Sequence, residues 1–290
     1  MSRTMKSMLR LILIVLGALA IGYAALVAAV YLFQDSLIYF PDRDVPSRES
    51  VGLGGAEDVA LTTDDGKRLS GWYLAPGGTA RPAALVLLFH GNAGNVANRA
   101  WKLELLARAG FAALVFDYRG YGRSEAAAPD EAGLYADGRA AAAWARERAK
   151  ALGVPLVYYG ESLGCAVAIE TALGDPPPAG LALEAPFTSL ADVGRHHYGY
   201  LPVGLLTRAR YDNLGKIGRV RAPVLVVHGE ADRTIPVAMG RAIYAAAPEP
   251  KELRTIPGGD HNDALYFDSK PLVEGLRALL ARGAGAAAAR

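Results

Sequence analysis

Hydrophobic positions fall along this chain in three patterns, and each predicts a different element. Residues 11–33 carry no charged side chain. As a helix that stretch is about 35 Å long at roughly 1.5 Å per residue, enough to cross a bilayer core of about 30 Å. Residues 59–62 and 69–74 alternate apolar and polar around Asp64-Asp65-Gly66-Lys67, which predicts a β-hairpin. Continuous apolar runs then follow at 84–89, 112–116, 156–159, 180–183 and 224–227. Runs without alternation predict parallel strands buried on both faces. Helical patterns at 98–109 and 138–151, stopped by Gly110 and Gly153, supply two of the crossovers.

The patterns divide the chain into a short N-terminus (1–10), a membrane signal anchor (11–33), a juxtamembrane linker (34–56) and one α/β domain (57–282). Segment 187–221 is a cap too short to be a large lid domain. The tail at 283–290 is low in complexity and expected to be disordered. Arg3, Lys6 and Arg10 precede the span while Asp35, Asp42, Arg43 and Asp44 follow it, so the N-terminus is expected in the cytoplasm and the domain outside it, in the periplasm if the source is bacterial. A cleaved signal peptide is the competing reading, with Ala18-Leu19-Ala20 as its small-residue site. Thirteen further apolar residues would then face water, which favours the anchor.

Composition narrows the field. A chain of 290 residues with 52% hydrophobic content can bury a large core, and a net charge of +2 without a basic, aromatic-rich stripe argues against a nucleic-acid partner. The single cysteine, Cys165, excludes an intrachain disulfide and reads as a small buried residue.

The chemistry centres on Gly160-Glu161-Ser162-Leu163-Gly164, set between an apolar run and a small-residue helical stretch. A strand turning sharply into a helix there holds Ser162 in a strained, exposed position, and glycines on both sides keep the turn free of side chains. A serine hydroxyl needs an imidazole to take its proton, and the imidazole needs a carboxylate to fix its tautomer. Asp232, after a strand at 224–228, and His261, after a short strand at 253–256, occupy the places where that acid and base are expected. Glu230 is a weaker alternative acid. His228 reads as a structural histidine, His196 and His197 as possible pocket residues, and Asp260 and Asp263 as groups that order the His261 loop. The oxyanion donors are expected to be the N–H groups of Leu163 and Asn92. His90 reads as structural. No cofactor and no metal is expected.

Five motifs in order then carry a resemblance: Phe89-His90-Gly91-Asn92-Ala93-Gly94-Asn95, Asp117-Tyr118-Arg119-Gly120-Tyr121-Gly122-Arg123-Ser124, the serine pentapeptide, Gly229-Glu230-Ala231-Asp232 and Asp260-His261-Asn262-Asp263. Over residues 33–281 the chain resembles the α/β-hydrolase superfamily. Within it the chain resembles the Bem-like branch, whose members carry one N-terminal anchor. The resemblance implies an α/β-hydrolase fold, with a mostly parallel central sheet covered by helices on both faces. It also implies Ser162 as nucleophile with Asp232 and His261 as partners. A serine at the elbow argues against dehalogenase or epoxide-hydrolase chemistry.

The expected function is a membrane-anchored serine hydrolase of the carboxylesterase or thioesterase type, acting through an acyl-enzyme. Its expected substrates are acyl esters or thioesters, lipids or acylated proteins. A serine peptidase of similar architecture and a non-catalytic ligand-binding protein are the alternatives. Segment 187–221 carries Arg195, Arg208, Arg210, Lys216, Arg219 and Arg221 among apolar residues, a composition suited either to an acyl chain with an anionic headgroup or to an ordinary solvated face.

Overall fold

A computed structural model describes residues 2–78 and 81–288. Eight strands form one sheet: β1 (Glu57–Thr62), β2 (Arg68–Leu74), β3 (Leu85–Phe89), β4 (Ala112–Phe116), β5 (Leu156–Glu161), β6 (Gly180–Glu184), β7 (Val224–Gly229) and β8 (Lys251–Ile256). Their spatial order is β8-β7-β6-β5-β3-β4-β2-β1. The hairpin β1–β2 is antiparallel, as is the β2–β4 pairing, and every other pairing is parallel.

The apolar runs without alternation are indeed the parallel strands. β3, β4, β6 and β7 are buried at every position, because helices cover both faces. One core joins Leu87, Phe89 and Phe116 to α3 (Glu131–Leu152), α4 (Leu163–Ala172) and α8 (Val237–Ala246). The other joins Val86, Leu88 and Val115 to α2 (Ala100–Arg108) and α10 (Lys270–Ala288).

Several boundaries differ from the sequence pattern. α3 begins at Glu131, seven residues early, because Asp130 caps it by accepting from the Gly133 N–H at 2.6 Å. Its first turns then bury Asp137 against Arg119, a polar pair that interrupts the apolar period. The expected helix at 98–109 starts with a 3₁₀ turn, Val96–Arg99. α10 runs as helix through Ala288, into the segment read from the sequence as a tail. Residues 289 and 290 lie outside the described residues.

α1 (Arg3–Ile38) is 36 residues long and extends the apolar stretch at both ends. It is the one helix among the described residues long and apolar enough to cross a membrane. Segment 187–221 folds as three short helices, α5 (Leu190–His197), α6 (Val203–Leu206) and α7 (Asn213–Ile217). A short helix α9 (Ala264–Phe267) follows the His261 loop.

Strand order fixes where a site can form. From β3 the chain moves to β4 on one side, and it returns to β5 on the other. Loops leaving β3 and β5 therefore diverge, which opens a crevice at their carboxyl ends.

Candidate active site

Ser162 sits at that crevice, between the end of β5 and the start of α4. Its backbone adopts φ 52° and ψ −116°, a conformation that a side chain other than glycine rarely takes. The turn is tight because its neighbours permit it. A Cβ on Gly160 would come within 2.6 Å of the Cys165 Cα, and one on Gly164 would overlap the Phe89 carbonyl. The Ser162 N–H is tied to the Glu184 carbonyl at 2.9 Å, so the end of β6 braces the turn.

Three side chains from separate loops converge there. His261 Nε2 lies 3.0 Å from Ser162 Oγ, and His261 Nδ1 lies 2.8 Å from Asp232 Oδ2. A carboxylate only accepts, so Nδ1 carries the proton and Nε2 is left to accept from the hydroxyl. Burial alone lowers the pKa of His261, but the Asp232 carboxylate outweighs it and the net shift is upward. Burial opposes the charged form of Asp232 as well, yet hydrogen bonds from His228 and His261 hold its pKa well below the usual carboxylate range.

Asp232 is further fixed by the N–H groups of Thr234 at 2.9 Å and Ile235 at 2.7 Å, both to Oδ1. Glu230 points elsewhere and accepts from Thr255 Oγ1 at 2.8 Å. Asp260 accepts from the His261 N–H and from the Arg233 backbone and guanidinium, and Asp263 accepts from the Asp260 N–H. His228 has a closer part than sequence reasoning gave it: its Nε2 lies 3.2 Å from Asp232 Oδ2 and 2.8 Å from the Ile235 carbonyl. The signal available was its position, four residues before the acid.

His90 is buried and offers Nδ1 to the Gly91 carbonyl at 2.7 Å, and burial depresses its pKa to about 3, so it is neutral. Asn92 anchors the loop after β3. Its carbonyl accepts from Tyr121 Oη at 2.8 Å and from the Phe40 N–H at 2.9 Å, while its side chain donates to the Ile38 carbonyl.

Two cavities meet at Ser162 and His261. One, of about 540 Å³, is largely apolar; Asn92, Leu163, Phe187, Val193 and Leu201 are among its walls. His197 lines it too, held by the Thr234 carbonyl at 2.8 Å; His196 does not. The other, of about 370 Å³, is polar and contains a cluster that the sequence reading missed. Glu161 binds Arg99 at 2.6 Å and Lys102 at 2.8 Å, and Lys102 also reaches Glu184, which accepts from Tyr159 Oη. Lys102 is 4% exposed on the inward face of α2 beside Leu103 and Leu106, an odd place for a lysine that was the available clue.

The basic residues of the cap do not face either cavity. Arg195 pairs with Asp192, Arg208 with Asp35, Lys216 with Glu170 and Arg221 with Asp175. Protein carboxylates thus pair with four of the six cap cations, and none of the six lines either cavity, which favours the solvated-face reading of the segment.

A family model described as "Serine aminopeptidase, S33" matches residues 80–206. The uncharacterized protein Rv2307c of Mycobacterium tuberculosis is 40% identical over 268 residues, 92% of this chain and 94% of that protein. The chain belongs to the α/β-hydrolase superfamily. Another relative of this hydrolase is the lysophosphatidylserine lipase ABHD12 of Danio rerio, 29% identical over 252 residues, 74% of this chain and 64% of that one. Among solved structures, the Pyrococcus furiosus esterase Pf2001 superposes with a TM-score of 0.67 at 19% identity, covering 84% of the hydrolase and 98% of its own chain. The acetyl xylan esterase from Paenibacillus sp. R4 gives a TM-score of 0.64 at 21% identity, covering 83% and 98%. At those identities the likeness establishes the fold.

Proposed function

We propose that this protein is a membrane-anchored serine esterase that cleaves acyl esters or thioesters of lipid-like substrates. The observation that carries the reading is the unbroken hydrogen-bonded path from Ser162 through His261 to Asp232, opening on an apolar cavity. Ser162 Oγ attacks the acyl carbonyl while its proton passes to His261 Nε2, and Asp232 stabilises the imidazolium. N–H groups of Leu163 and Asn92, both in the cavity wall, receive the developing oxyanion. His261 then protonates the leaving alcohol or thiol. Water attacks the acyl-enzyme, gives its proton to His261, and releases the acid as Ser162 is restored.

An apolar cavity on one side of the serine and a polar one on the other suit an amphiphile, acyl chain to the first and leaving group to the second. The relative from Danio rerio, a lysophosphatidylserine lipase, points the same way. α1 serves as the anchor, and its basic N-terminal flank orients it with that end in the cytoplasm.

A fluorophosphonate probe tests the reading. It should label the wild-type protein and leave Ser162→Ala unlabelled; folded wild-type protein that takes no label is the non-catalytic alternative. Turnover of peptide amides faster than long-chain p-nitrophenyl esters would favour the peptidase.

A further inference from the structure

We propose that the apolar cavity beside Ser162 is an acyl-chain site entered from within the bilayer, with the anchor helix as one of its walls. The proposal rests on the esterase reading above and names where its substrate comes from.

Four residues of α1 line the cavity: Val30, Gln34, Leu37 and Ile38. A helix whose only task is tethering has no need to approach the nucleophile's cavity. Leu37 lines it while remaining 58% exposed, and Leu206 of α6 faces it across the opening, so the gap between α1 and the cap is the mouth.

The cap is fastened to the helix at that mouth. Gln34 is 6% exposed; its Nε2 donates to the Leu206 carbonyl at 3.3 Å, and its Oε1 accepts from the Arg208 N–H at 2.8 Å. Lower down, Tyr23 Oη donates to the Tyr200 carbonyl at 2.9 Å.

Those contacts set the depth. A core of about 30 Å takes about 20 helical residues, so a span beginning after Arg10 ends near Val30. Tyr23 then lies about 10 Å inside that boundary at 1.5 Å per residue, and brings the Tyr200 backbone with it. The surface there fits lipid and not water: Tyr200 is 66% and Leu205 88% exposed, and Phe33 of α1 is exposed as well. Val30, in the cavity wall, lies at that boundary and Leu37 about 10 Å above it, so the cavity beside Leu37 and Leu206 runs from the edge of the acyl region into the headgroup layer. An amphiphilic ester in that leaflet can slide its chain between these two leucines, along Val30 and Ile38, and bring its carbonyl to Ser162 without its chain entering water.

The test uses the full-length protein in phosphatidylcholine vesicles and p-nitrophenyl decylphosphonate with a diazirine at the chain terminus. Ser162 Oγ displaces p-nitrophenolate at phosphorus, and light then links the chain tip to whatever surrounds it. Cross-links to residues 30–38 or 201–206 are expected. Cross-links confined to residues 98–102 and 264–266, the polar cavity, overturn the proposal. Failure to phosphonylate Ser162 at all instead removes the esterase reading beneath it. As a second measurement, Leu37→Trp should slow the decylphosphonate at least roughly tenfold more than the ethylphosphonate. Equal effects on both probes, or none on either, would likewise overturn it.

Discussion

His228 Nε2 lies 3.2 Å from Asp232 Oδ2, the oxygen that also accepts from His261. Because the same nitrogen faces the Ile235 carbonyl at 2.8 Å, it carries the proton and donates to both. The acid of the relay is thereby gripped from behind by a buried imidazole. Replacing that imidazole by leucine leaves the carboxylate free to rotate away from His261. His228→Leu is expected to lower kcat about tenfold, roughly 1.4 kcal/mol of lost positioning, with KM little changed. Steady-state kinetics on a p-nitrophenyl ester checks this, and an unchanged kcat means Asp232 needs no such support.

The pH profile follows from His261. It accepts a proton only when neutral, and its pKa is raised above 6.5, so kcat/KM should climb with pH through a limb lying above that value. Stability runs the other way. The raised pKa means the imidazolium–carboxylate pair contributes fully below the unfolded value of about 6.5 and is lost as pH rises through the folded one. Asp232→Asn removes the largest upward contributions and leaves burial, the largest effect, opposed only by the charges of Glu184 and Glu161. Its acid limb should therefore move below pH 6.5 while kcat falls by roughly 10⁴. A limb that stays put in Asp232→Asn would mean that another group titrates.

Much of this arrangement was legible in the sequence because local rules govern it. β3 to β7 are short apolar runs that only a doubly covered sheet can bury, and Gly160 is demanded by contacts with Gly164 and Cys165, within a few residues of Ser162. What escaped depends on partners far away in the chain. Nothing near Gln34 announces that it holds residues 206 and 208, or that Tyr23 meets Tyr200. Lys102 reads as a surface helix residue until Glu161 and Glu184 arrive from two other strands. The cap's cations suggested an anionic ligand because their carboxylate partners, such as Asp35 and Glu170, lie in other elements.

The buried cluster beside Ser162 gives a stability prediction. Glu161 is held ionised against the effect of burial by Lys102 and Arg99, and Lys102 is shared with Glu184. Removing the shared cation leaves two carboxylates facing each other in a site that water barely reaches. Lys102→Met should cost about 3–5 kcal/mol, the usual penalty for breaking a buried pair from one side. Arg108→Ala, at the exposed Arg108–Glu104 pair on the same helix, should cost less than about 1 kcal/mol. Urea unfolding of the two variants compares them directly, and similar losses would mean that the cluster is neutralised by other means.

The backbone of Ser162 supplies the last test. Its φ of 52° and ψ of −116° mirror an ordinary extended conformation, so glycine takes it without steric cost while any Cβ is strained by about 1–3 kcal/mol. Ser162→Ala and Ser162→Gly both lose the hydroxyl and its bond to His261, and both should be inactive. They differ only in the Cβ. Elsewhere glycine is less stable than alanine by about 0.5–1 kcal/mol through backbone entropy. Here that order should reverse, with Ser162→Gly more stable than Ser162→Ala by about 1 kcal/mol and melting at a higher temperature. Alanine equal to or more stable than glycine at this position would mean that the turn stores no strain, and that the serine is presented by its neighbours' packing alone.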